Sequence, residues 1–136
     1  MLRTFNLRLL IAFFLVASFT MDFFVLNDGT ESDYLKLEQV WKEYQMDAVE
    51  KGEKLGWMVF KVNKRNGEPL ENISYVVIND FKSKEQFEKQ VKNWSWDNFN
   101  SIVRSRLKGK MSSSTIRRVL SKNVKKETYY HDSIRC

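Results

Sequence analysis

A chain of 136 residues, 43% hydrophobic and 14% aromatic, has room for one domain with one core. These 136 residues are one domain's worth and no more, and a single Pro with five Gly argues against a disordered chain. The net charge of +6 comes from 23 basic residues mixed with 17 acidic ones, which gives a solvated surface rather than a nucleic-acid track.

The only cysteine, Cys136, is the last residue, so no intrachain disulfide can form. It also lies too far along the chain for a bacterial lipid anchor, which needs a Cys directly after an apolar signal. No Cys/His cluster has metal-ligand spacing.

The chain opens with "MLRTFNLR", in which Arg3 and Arg8 are basic, and continues as "LLIAFFLVASFTMDFFVL", Leu9 to Leu26. A basic start, an apolar run over Leu9–Val16 and the small residues Ala17 and Ser18 describe a secretion signal over residues 1–18, cleaved after Ser18. The second half, "FTMDFFVL", is rich in Phe and Val and stops at Asn27-Asp28-Gly29, as a β-strand entering a turn does. A spanning helix would need about 20 apolar residues and would carry Asp22 within the bilayer at a cost of a few kcal/mol. The expected location is therefore periplasmic or extracellular. An uncleaved segment over residues 9–26 would instead tether the protein to the membrane.

Next, "ESDYLKLEQVWKEYQMDAVEKG" has apolar residues at three- and four-residue steps: Leu37, Val40, Trp41, Tyr44 and Ala48. This predicts an amphipathic helix with Ser32 or Asp33 as N-cap and Gly52 just past its end. Trp57–Val62 and Ile73–Phe81 read as two strands of a hairpin, joined by a loop containing Asn66-Gly67 and Pro69. Both strands are almost continuously apolar, which predicts that both sheet faces are covered, one of them by a partner subunit.

Ser83 opens a second helix carrying Phe87 and Val91. The segment from Trp94 to Leu107 reads as a further helix, and "MSSSTIRRVL" as a polar break before a short one. The tail from Val124 to His131 alternates like a charged edge strand.

Strand, helix, strand, strand, helix, strand is the ferredoxin-like βαββαβ order of an α+β domain. The expectation is a four-stranded antiparallel sheet with helices on one face, spanning residues 19–136. Two such sheets could pack face to face as a dimeric α/β barrel, making the chain a homodimer. The stretch "DYLKLEQVWKEYQMDAVEKGEKLGWMVFKV" also resembles small exported proteins of Bacteroidetes-type bacteria in the dimeric α/β-barrel class. Asp33, Tyr34, Leu37, Glu38, Trp41, Lys42, Gly52 and Trp57 carry the resemblance, and "SYVVINDF" (Ser74–Phe81) fits its third strand. It implies that fold, a dimer and export, but no reaction. Where such proteins often have a His after the Trp-Lys pair, this chain has Tyr44 and Gln45.

The sequence reveals no catalytic constellation, and a hydrolase is disfavoured because the only histidine, His131, would have to serve Ser112-Ser113-Ser114. Trp41, Tyr44, Trp57 and Tyr75, with His131, are the candidate lining of a pocket for a small apolar or aromatic ligand. Large aromatics at this spacing more often just fill a core. The leading expectation is an exported ligand-binding or structural domain with no cofactor.

The alternative is a monooxygenase or haem-handling enzyme of the barrel class, with Tyr44, Asn79 or His131 pointing into a pocket and His131 as a haem ligand. A weaker alternative is a basic module binding anionic envelope polymers. It would gather Lys92, Lys108, Lys110, Arg117, Arg118 and Lys122 on one surface.

Overall fold

The computed structural model describes residues 18–63 and 73–128. The apolar segment after the basic start forms strand β1 (Ser18–Leu26), which leads through Gly29 into helix α1 (Glu31–Glu50). Strands β2 (Gly56–Lys61) and β3 (Tyr75–Phe81) follow, then helices α2 (Lys84–Asn93), α3 (Trp96–Arg106) and α4 (Ser113–Ser121), and the short strand β4 (Lys125–Thr128). The domain is α+β, with an antiparallel sheet in the order β2-β3-β1-β4. Its long part is the three-stranded ribbon β2-β3-β1, and β4 adds four residues along the outer edge of β1.

Register decides which side chains meet the helices. Phe24 pairs with Tyr75, Asp22 with Val77, Thr20 with Asn79 and Ser18 with Phe81. Val59 faces Val77, and Trp57 faces Asn79. Since alternate residues share a face, all of these lie on one side, and Phe24, Tyr75, Val77 and Phe81 are buried there.

Helix α1 lays Tyr34, Leu37, Val40, Tyr44 and Ala48 onto this face, all of them buried. α3 and α4 then close over α1 through Phe99, Val103, Ile116 and Val119. Arg106 of α3 ties the two helices at their rim by reaching Glu43 at 3.1 Å and Glu50 at 2.9 Å.

Several local expectations shift. α1 begins earlier than a Ser32 or Asp33 cap implies, because Thr30 occupies the N-cap without a side-chain cap. The Thr30 hydroxyl instead donates to the carbonyls of Asn27 and Val124, pinning the β1–α1 turn to the segment before β4. At the other end Gly52 takes φ +71, the left-handed geometry that ends a helix at little cost only for Gly. Ser83, Ser95 and Ser112 each accept a hydrogen bond from the backbone N–H three residues on, capping α2, α3 and α4. α2 packs lightly: Phe87 meets the Phe81 ring at 5.2 Å, while Val91 remains 60% exposed.

The opposite sheet face is the one that the sequence reading leaves for a partner sheet. It carries Met21 and Phe23 of β1, Val76 and Ile78 of β3, and Met58 and Phe60 of β2, yet no described helix lies over it. Phe60 is 49% exposed and Met58 39%. The near-continuous apolar run of β2 and β3 thus reflects one face packed against helices and a second that is equally apolar but open. The candidate signal segment, residues 1–17, and the tail from residue 129 lie outside the described residues. Among the described residues no helix is long and apolar enough to cross a membrane.

Candidate functional site

Between α1 and the sheet lies a partly open cavity of about 170 Å³. Each element contributes by its own periodicity. Glu38, Trp41 and Gln45 sit three and four residues apart on α1, so they project from one face. Asp22 and Phe24 come from the helix-facing positions of β1, and Val77 and Asn79 from those of β3. Trp57 closes the β2 side and Lys125 the β4 side, where its ammonium stands 4.1 Å above the Phe24 ring. Two indoles and a phenyl ring therefore flank a floor of two carboxyls and two amides.

The polar floor is connected. Lys54, in the loop between α1 and β2, is 2% exposed. Its Nζ donates to Gln45 Oε1 and to Asn79 Oδ1, both at 2.6 Å, and lies 5.1 Å from the Phe81 ring centre. Asn79 Nδ2 in turn reaches Asp22 Oδ2 at 3.4 Å, a long contact. Burial pulls the Lys54 ammonium down to about 8, with Asp22 and Asp80 opposing that shift.

Burial also raises the Glu38 carboxyl above its ordinary range. Asp22 adds to this, while Tyr34 and Lys125 oppose it. The Tyr34 hydroxyl is buried and leans toward Glu38 without reaching good hydrogen-bond geometry, and burial raises its pKa strongly.

The buried lysine makes a signed prediction. Its folded pKa, about 8, lies below the unfolded value of 10.5. Between these values the folded chain has released a proton that the unfolded chain still holds, so stability rises with pH. Urea unfolding should therefore show a gain of about 1 kcal/mol from pH 8 to pH 9. Approaching pH 10 the raised tyrosines Tyr34, Tyr44 and Tyr75 reverse the slope. Lys54→Met should abolish the gain. A flat profile in the unmodified protein would show that Lys54 is solvated.

The residues singled out from sequence are partly brought together. Trp41 and Trp57 line the cavity. Tyr44 does not: it is buried among Trp41 and Phe99, with ring centres 6.2 and 5.3 Å away. Tyr75 stands in an open groove of about 590 Å³ along α1 and β2, where its hydroxyl donates to Glu31 at 2.6 Å. Glu38 and Trp57 border both the groove and the cavity. His131 lies outside the described residues.

Asn79, named with Tyr44 and His131 for the enzyme reading, is among the residues lining the cavity. Asp22, Glu38, Gln45 and Lys54 were missed as site residues. Their signal was present in the alternation of β1, which places Asp22 beside Thr20 and Phe24 on the inward face, and in Gln45 one turn beyond Trp41.

Elsewhere, Trp94 and Trp96 form an edge-on pair with ring centres 5.1 Å apart on the surface. Of the residues named for a basic surface, Arg118 and Lys122 both pair with Asp33, at 2.7 and 2.5 Å. Together they hold the Asp33 carboxyl down at about 2. Among the described residues no group of three or more His, Cys, Asp or Glu is placed to hold a metal ion. No protein-family model matches the chain, and no curated protein is significantly similar to it.

Proposed function

We propose that this is an exported, non-catalytic domain that binds a small molecule in the cavity between α1 and the sheet. The observation carrying the reading is the convergence of Asp22, Glu38, Gln45 and Asn79 beneath Trp41 and Trp57. Apolar walls with a few convergent polar groups are the usual make-up of a ligand site. The volume, about six waters' worth at roughly 30 Å³ each, limits the ligand to a small molecule or the tip of a larger one.

The reading is tested by thermal unfolding of the protein against a library of small polar and aromatic compounds. A true ligand at a hundred times its Kd adds about 2.7 kcal/mol of stability, which is about 10 °C in Tm for a domain this size. Trp57→Ala should remove that shift. A library with no stabilising member, or a shift indifferent to Trp57→Ala, overturns the reading in favour of a purely structural module.

In fold terms the proposal is a ferredoxin-like βαββαβ domain that pairs through its open sheet face into a dimeric α/β barrel. The strand order β2-β3-β1-β4, with α1 linking β1 to β2 and three helices linking β3 to β4, supports the first part. The open face supports the second. Asp80 is the only charge that β1, β2 and β3 place on it, and a second copy offers the same largely apolar surface in return. Export is supported by the basic start and apolar run, and a bacterial, Bacteroidetes-type source by the resemblance at Asp33–Val62.

One observation favours the barrel-class enzyme as a second reading. Glu38, with its raised carboxyl beside Asp22, has the character of a proton donor. The haem version depends on His131 and gains nothing from the cavity.

A further inference from the structure

Lys54 does not line the cavity; it lies behind Gln45 and Asn79, which do. A lysine ammonium has three donors and no acceptor. With both amide oxygens 2.6 Å from Nζ, each amide must turn its carbonyl toward Lys54, and its NH2 group is left at the other end. Donor chemistry thus fixes the amide orientation, which the two-fold shape of the group would otherwise leave open. Asn79 Nδ2 has only the long contact to Asp22, and Gln45 Nε2 has no hydrogen-bond partner among the described residues.

We infer that Lys54 locks Gln45 and Asn79 as a pair of N–H donors, so that the cavity selects a small neutral ligand with a carbonyl beside an N–H, a primary amide or a lactam. The inference rests on the ligand-binding reading of the same cavity. The ligand carbonyl takes the N–H groups of Gln45 and Asn79, and its own N–H goes to Asp22. A carboxylate offers about four acceptor sites, so Asp22 can serve the ligand alongside its other partners. Trp41, Trp57 and Phe24 supply flat apolar walls for the ring or chain carrying the amide. Lys54 acts through the two amides as a positioning residue. A site built around a hydrogen-bonding partner rejects an analogue lacking that group far more strongly than an apolar pocket rejects a missing methylene.

The test is a titration of the nitrogen-15-labelled protein with 2-pyrrolidinone and with N-methyl-2-pyrrolidinone, which keeps the carbonyl and lacks the N–H. The side-chain NH2 resonances of Gln45 and Asn79 report on the site directly. 2-Pyrrolidinone should move both saturably and bind at least tenfold more tightly than its N-methyl analogue.

Gln45→Glu keeps an oxygen for Lys54 and gives it a charged partner, so this variant should fold. It removes the donor and should weaken 2-pyrrolidinone at least tenfold. Lys54→Met should weaken it similarly and collapse the distinct NH2 shifts of Gln45 and Asn79. Equal binding of the two lactams, or an unchanged Gln45→Glu, overturns the amide selectivity while leaving the cavity as a ligand site. If neither lactam moves a cavity resonance, the inference falls, and the thermal screen decides separately whether the binding reading falls with it.

Discussion

Phe99→Ala should lower the free energy of unfolding by about 4 kcal/mol, a large part of the roughly 5–15 kcal/mol available to a domain of this kind. Phe99 is fully buried, and its ring stands 4.6 Å from Trp41, 5.3 Å from Tyr44 and 5.6 Å from Trp96. It is the point at which α3 grips α1, so truncation removes both buried area and three aromatic contacts. Collapse around the vacancy is limited because Val40 and Val103 beside it in the core are also fully buried.

The loss should appear in urea unfolding as a lower midpoint at unchanged slope. Trp96→Ala, at a ring 53% exposed, should cost less than half as much. A Phe99→Ala loss below 1 kcal/mol would mean that α3 does not pack on α1 as described. Because Trp41 leans on Phe99, the variant should also loosen one wall of the cavity.

The second large effect concerns the open sheet face. Phe60→Glu changes an exposed residue on strand β2, so a lone protomer should tolerate it with little change in stability. In a face-to-face dimer the same change places two carboxylates in an apolar interface, symmetrically across the two-fold axis. Charge burial of this kind should weaken association at least a hundredfold, about 3 kcal/mol. Sedimentation over a micromolar range should therefore give a dimer for the natural sequence and a monomer for Phe60→Glu, with the helical circular dichroism unchanged. A natural chain that stays monomeric at the highest concentration would remove the pairing from the account.

The elements were legible in the sequence where periodicity and turn chemistry agreed. Leu37, Val40, Tyr44 and Ala48 define the inward stripe of α1, and Gly52 ends it. Ser83 caps α2 as its position suggested. The inward and outward faces of the sheet were less legible. β2 and β3 are apolar on both sides, and only register distinguishes Val77, under the helices, from Ile78, on the open face.

The cavity was harder still, because it depends on groups distant in sequence. Lys54 reads as one more charge in "EKGEKLG", and nothing local reveals that Gln45 and Asn79 converge on it. Trp41 and Trp57 were found because large aromatics announce themselves. Asp22 was seen only as a charge interrupting an apolar run, although the alternation of β1 already set it on the inward face.

Four tryptophans in distinct places allow the central claim, that this cavity is the binding site, to be tested in one experiment. The indole N–H resonances of Trp41 and Trp57 report on the cavity, and those of Trp94 and Trp96 on the exposed pair. Any compound that raises the melting temperature should be titrated while all four are followed. The account predicts saturable shifts of Trp41 and Trp57 with one common Kd, while Trp94 and Trp96 stay still. Shifts confined to Trp94 and Trp96 would contradict it, by moving binding to the surface pair and leaving the cavity as part of the core.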